Sequence, residues 1–131
     1  MYTWAEHTGE MELHVEAATL EEVFADALEA FAELTGDPPG SGEPAAHDVA
    51  LDADDLPSLL AAWLEELVFL GETDGFVPRH ASGLVVKDVR LAARIEGIRG
   101  RPSPLVKAVT YHDLKLAKEA DVWRARVVLD V

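Results

Sequence analysis

Two apolar stripes of identical spacing constrain this chain more than any other feature. Leu20, Val23, Phe24, Ala27, Leu28, Phe31 and Leu34 stand at offsets 0, 3, 4, 7, 8, 11 and 14. Leu56, Leu59, Leu60, Trp63, Leu64, Leu67 and Leu70 repeat those offsets 36 residues later. Each stripe covers one face of a helix with 3.6 residues per turn, so each helix needs an apolar surface to lie against. An alternating segment precedes each one. Met11, Leu13 and Val15 alternate with Glu12, His14 and Glu16, and Val49 and Leu51 alternate with Asp48 and Asp52. Alternation with period two reads as a half-buried strand. Thr19 with Glu22 three residues on opens the first helix; Asp54 or Asp55, with Pro57 behind it, opens the second. Gly36 and Gly71 are the expected stops. The pattern repeats one strand–helix unit, by duplication or by convergence on a common plan.

The rest reads mostly as strand. Gly36 to Ala46 is a Pro/Gly-rich loop, and Gly75-Phe76-Val77 is a short strand interrupted at Pro78. Leu84 to Ile98 is rich in Val, Leu and Ile, and Gly97, Gly100, Pro102 and Pro104 mark a turn region. Val106–Leu116 and Trp123–Val131 are the last strands. The expected order is β-α-β-α-β-β-β-β. The fold class is α+β, two-layer, with two helices packed on a mostly antiparallel sheet, in a single domain over residues 1–131.

Charge narrows the function classes. The chain has 11 Lys and Arg against 25 Asp and Glu, a formal net charge of −14. Residues 1–78 hold 19 acids and no Lys or Arg; all the basic residues fall in 79–131. A chain this acidic is not a general binder of nucleic acid or of anionic membranes, which need a positive field. It suits a cationic partner. The absence of cysteine excludes disulfides, thiolate metal sites and a Cys nucleophile. No apolar run approaches the length of a membrane span, and the first residues lack a signal-peptide pattern, so the expected location is cytoplasmic.

Generic catalytic motifs are missing: no P-loop, no dinucleotide-binding glycines, no nucleophile elbow and no His-Glu-x-x-His. Two places can carry chemistry. In Glu6-His7-Thr8-Gly9-Glu10 two carboxylates flank a histidine, and in an extended chain residues 6, 8 and 10 point one way. The alternative is a polar strand edge. At the other end, an apolar strand closes on Asp130 and Val131, whose α-carboxylate follows the Asp130 side chain. If that strand ends near Glu10, three carboxylates converge and repel unless protonated, solvated or bound to a hard cation. Oxygen-only ligands favour calcium, magnesium or manganese. The alternative is a strand that simply ends there.

The sequence resembles the archease family nearly end to end. Glu6-His7-Thr8-Gly9-Glu10 is similar to the family's Asp/Glu-His-Thr-Ala-Asp signature, and Thr19–Phe24 to the helix that follows it. Leu60–Leu67 is similar to the second helix. Val106-Lys107-Ala108-Val109-Thr110-Tyr111-His112 and Arg126–Val131 match closely. The resemblance implies an accessory protein of the RtcB-type RNA ligase of tRNA splicing and RNA repair. Such a protein promotes ligase guanylylation and multiple turnover and is not itself an enzyme; RNA is met only indirectly. It also implies a divalent cation held by Glu10, Asp130 and Val131, the last through a main-chain or terminal oxygen. Glu6, His7 and His112 are then neighbouring groups, and Lys107, Arg99 and Arg101 are candidate partner contacts. The family usually has Asp at the position of Glu10 and a longer loop than Gly97–Pro104. Competing readings are a chaperone-like modulator of an RNA-modifying enzyme and a small hydrolase using Glu10 and Asp130 as acid and base.

Overall fold

In the computed structural model, residues 1–36, 42–100 and 106–131 are described. Among these residues, seven strands and two helices follow in the order β1 (Tyr2–His7), β2 (Glu10–Ala17), α1 (Leu20–Thr35), β3 (Pro44–Asp52), α2 (Leu56–Asp74), β4 (Phe76–Lys87), β5 (Arg90–Arg99), β6 (Ala108–Glu119) and β7 (Val122–Asp130). The fold is α+β, and every strand pair is antiparallel.

The strands form two sheets rather than one. One has the order β1-β2-β7-β6 and the other β3-β5-β4. The duplicated unit explains this. β2, α1, β6 and β7 make one strand–helix–hairpin half, and β3, α2, β4 and β5 make an equivalent half inserted within it. Each half closes its own antiparallel sheet, and β1 is an extra strand added by a hairpin. The helices cross over between halves: α1 leaves β2 yet packs chiefly on β4, while α2 leaves β3 and packs chiefly on β6. Each apolar stripe thus finds its cover in the other half's hairpin, which binds the two sheets into one apolar cluster.

The helix caps follow ordinary chemistry. The Thr19 hydroxyl accepts from the Glu22 amide at 3.2 Å, and the Asp55 carboxylate accepts from the Ser58 amide at 2.8 Å. That contact holds the Asp55 carboxyl below its usual range. At the centre, Trp63 of α2 is fully buried, its ring edge-on to Phe24 of α1 with centroids 6.3 Å apart. Its indole N–H donates to the Phe24 carbonyl at 2.9 Å.

Five local expectations are corrected. Leu84 to Ile98 is not one strand: β4 ends at Lys87 and β5 begins at Arg90, with Asp88 at φ 54° in the turn between them. Glu6 to Glu10 does not begin one long strand: Thr8-Gly9 is a two-residue turn between β1 and β2, with Gly9 at φ 75°. Gly71 lies inside α2, which runs on to Asp74 and is capped by Gly75. Pro78 does not end a strand. It sits in β4, an edge strand with a bulge between Pro78 and His80, where a missing N–H is tolerated. Gly97 lies within β5, because β4 approaches so closely that a Cβ there would stand 2.0 Å from the Val77 carbonyl oxygen.

Trp63→Phe should cost about 1–3 kcal/mol, since it orphans the buried Phe24 carbonyl. Trp63→Ala should cost about 3–5 kcal/mol by adding a cavity. Urea unfolding midpoints measure both; equal losses in the two variants would show that the hydrogen bond adds nothing separable.

Candidate metal-binding end of the first sheet

The alternation that buries Leu13, Val15, Val127 and Leu129 sends their neighbours to the opposite face. β2 pairs with β7 so that Glu10 stands opposite Asp130, and directly opposed residues share a face. β1 places His7 opposite Glu10, and β6 places Ala108 opposite Asp130. One row across the sheet therefore reads His7, Glu10, Asp130, Ala108. The Val131 amide donates to the Gly9 carbonyl at 3.1 Å, and the Lys107 amide donates to the Asp130 carbonyl at 2.8 Å. These bonds pin the end of β7 between its neighbours.

Cβ atoms of such opposed pairs lie about 4.5–5.5 Å apart, close enough for two carboxylates to repel. Among the described residues neither the Glu10 nor the Asp130 side-chain carboxylate has a hydrogen-bond or ion-pair partner. The nearest guanidinium along the same face, Arg126, is engaged elsewhere. It donates to Glu12 at 2.5 Å and to Asp113 at 3.4 Å. Glu12, only 8% exposed, also meets His14 at 2.7 Å. The His14 contact first, then Arg126, holds the Glu12 carboxyl below the usual glutamate range, against the opposing effect of burial. Glu12 is neutralised and the Glu10–Asp130 pair is not. Among the described residues no three His, Asp or Glu side chains are grouped to hold a metal. A cation would thus take the two carboxylates, a Val131 oxygen and water, a donor set that suits hard ions which keep part of their hydration.

The other expected neighbours are placed unequally. His7 is exposed in the row beside Glu10. Glu6 pairs with Met11, on the face opposite to Glu10, because the tight turn reverses the chain before alternation can bring the two acids together. His112 stands 78% exposed against Asp113, in a stretch of β6 that leaves the ladder between Thr110 and Lys115. Four residues beyond Ala108, it is roughly 13 Å along the strand from the row. Lys107 is exposed beside Val131. Arg99 lies in the second sheet, its amide donating to the Glu43 carbonyl at 2.8 Å. Arg101 lies outside the described residues.

The duplication supplies an internal comparison. The position 36 residues after Glu10 is Ala46, opposite Glu96 in the second sheet. Glu96 contacts His80 at 2.6 Å. The second half thus has one acid, already partnered, where the first has two without partners. Sequence reasoning missed the Glu12–His14–Arg126 cluster. Its signal was there: two polar residues alternating on β2 and an arginine near the end of an apolar β7.

The Archease protein family (MTH1598/TM1083) matches residues 2–131. The chain belongs to the archease family. The archease of Methanosarcina acetivorans is 33% identical over 139 residues, covering 99% of this chain and 95% of that protein. That of Pyrobaculum neutrophilum is 30% identical with the same coverage. The solution structure of Methanobacterium thermoautotrophicum protein 1598 aligns with a TM-score of 0.69 at 26% identity, over 99% of this chain and 98% of that one. The crystal structure of the Thermotoga maritima archease, described as a possible chaperone, aligns at 0.70 with 19% identity, over 100% and 98%, and shows the shared fold.

Glu12 provides a pH test. Its carboxyl titrates lower in the folded chain than in the unfolded one, so it stabilises the fold at neutral pH and this contribution disappears as pH falls through the folded value. Glu12→Gln should melt below wild type at pH 7, with the gap closing as pH falls below the ordinary glutamate range. A gap that stays constant would show that the ion pair is not its source.

Proposed function

We propose that this archease is a metal-dependent accessory protein that activates an RtcB-type RNA ligase in tRNA splicing and RNA repair, promoting ligase guanylylation and repeated turnover. The observation that carries this reading is the Glu10–Asp130 pair: two carboxylates without partners on one exposed sheet end. Family membership gives the context. Glu10, Asp130 and an oxygen of Val131 are the ligands, and calcium, magnesium or manganese are the ions they suit. When bound, the cation supplies positive charge at the end of an otherwise anionic chain, where a nucleotide phosphate can be met. His7 borders the pair and Lys107 borders Val131, so both are placed to contact what approaches. Arg126 keeps Glu12 neutralised, which leaves the two ligand carboxylates free for the cation. RNA need not touch the chain: its acidic surface would be drawn to the ligase's own basic cleft.

The test is multiple-turnover ligation of cyclic-phosphate-ended RNA by an RtcB-type ligase with GTP and a divalent metal. The chain should raise turnover. Asp130→Asn and Glu10→Gln should each remove that stimulation and weaken calcium or manganese binding at least about tenfold, the scale of losing one charged ligand. Both should melt at or above the wild-type temperature in metal-free buffer, since like charges opposite one another destabilise a sheet. Unchanged ligase turnover with the wild-type chain would overturn the reading in favour of a chaperone-like role. Hydrolysis of substrate by the chain alone would overturn it in favour of an enzyme.

A further inference from the structure

A second surface lies on the far side of β6, where it packs against α2. Phe69 is 54% exposed and Tyr111 58% exposed, although both are large and aromatic. They are not scattered. The Tyr111 hydroxyl donates to Glu65 Oε1 at 2.9 Å, and Glu65 precedes Phe69 by one helical turn. Tyr111 belongs to the stretch of β6 that leaves the ladder after Thr110, which frees it to reach across the seam to the helix. Its hydroxyl is held protonated by the Glu65 hydrogen bond first, then by burial and the Glu65 charge. Tyr111 is thus fastened to the helix at Glu65, one turn from Phe69, so two exposed aromatics on two elements flank one carboxylate.

The charge around it selects the occupant. α2 carries Glu65, Glu66, Glu72 and Asp74 with no Lys or Arg, and Glu65 and Glu72 share the exposed face of Phe69. Nucleic acid would be repelled. A second copy of this chain, also acidic, would bring like charge to the same face. We infer that Phe69 and Tyr111 anchor a basic segment of a protein partner, one that supplies an apolar side chain ringed by Lys or Arg. This rests on the proposed function and names the docking surface for the ligase. Continuity with the carboxylate pair supports it: Tyr111 lies three residues from Ala108, opposite Asp130, about 10 Å along one strand. A partner seated at the seam is brought to that end of the sheet.

The test measures binding of the full chain to an RtcB-type ligase at two salt concentrations, with calcium affinity and melting temperature recorded for every variant. Phe69→Ser should raise Kd at least about fivefold, and Phe69→Ser with Tyr111→Ser at least about tenfold, mainly through faster dissociation. Glu65→Gln with Glu66→Gln and Glu72→Gln should slow association and flatten its salt dependence. Calcium affinity should stay at the wild-type value in all of them. Wild-type binding by a folded Phe69→Ser variant would overturn the docking surface while leaving the metal-site reading intact. Competition by single-stranded RNA for the patch would overturn it too. A wild-type chain that does not bind the ligase at all would remove the functional reading together with the surface built on it.

Discussion

The antiparallel register between β2 and β7 is the constraint on which the rest depends. It sets Leu13 opposite Val127, which closes the first sheet over the core, and by the same period of two it sets Glu10 opposite Asp130 on the outer face. A slip of one residue would turn every one of these side chains over. The apolar face cannot slip without exposing Leu13, Val15, Val127 and Leu129 together. Core burial therefore enforces the juxtaposition of two like charges that neither residue would favour alone. A candidate site held by a core constraint of this kind has its backbone positions set by the strand register, as suits a site built on strands rather than loops.

The fold was legible where it depends on local periodicity. Both stripes form helices, the caps fall at Thr19 and Asp55, and every stripe residue except Leu20, Leu34 and Leu56 is buried. What escaped depends on contacts distant in sequence. No local signal distinguishes one sheet from two, because the division follows from α1 covering β4 and α2 covering β6. Pro78 and Gly97 read as breakers since each usually ends a strand. Here they face each other, on an edge strand and at a close backbone approach, and each tolerates the other's defect. Gly71 has the composition of a stop but lies within a helix whose stripe continues to Leu70 and whose cap comes at Gly75.

The candidate site was legible in part. Glu10 and Asp130 stood out because one lies in a charged signature and the other closes an apolar strand, and the register brings them together. The position of Glu6 was misread by assuming an extended chain through Thr8-Gly9, where the chain turns. His112 matched a motif by sequence but lies along β6 from the row, since it stands four strand positions beyond Ala108, which is opposite Asp130. The acidic character is also resolved in space. The two helices hold nine of the acids and no Lys or Arg, whereas the sheets mix both signs and pair Arg94 with Asp48, Arg124 with Glu16 and Arg126 with Glu12. The negative field belongs to the helical layer, and the unpartnered pair at the strand ends is a separate feature.

The most direct measurement is manganese-induced broadening of backbone amide resonances in the isotope-labelled chain. One ion held between β2 and β7 predicts that Glu10, Asp130 and Val131 broaden together along a single saturation curve, with His7 close behind and the acidic helices unaffected. Broadening that starts at α1 or α2, or that reaches Glu10 and Asp130 at separate manganese concentrations, would contradict the shared site.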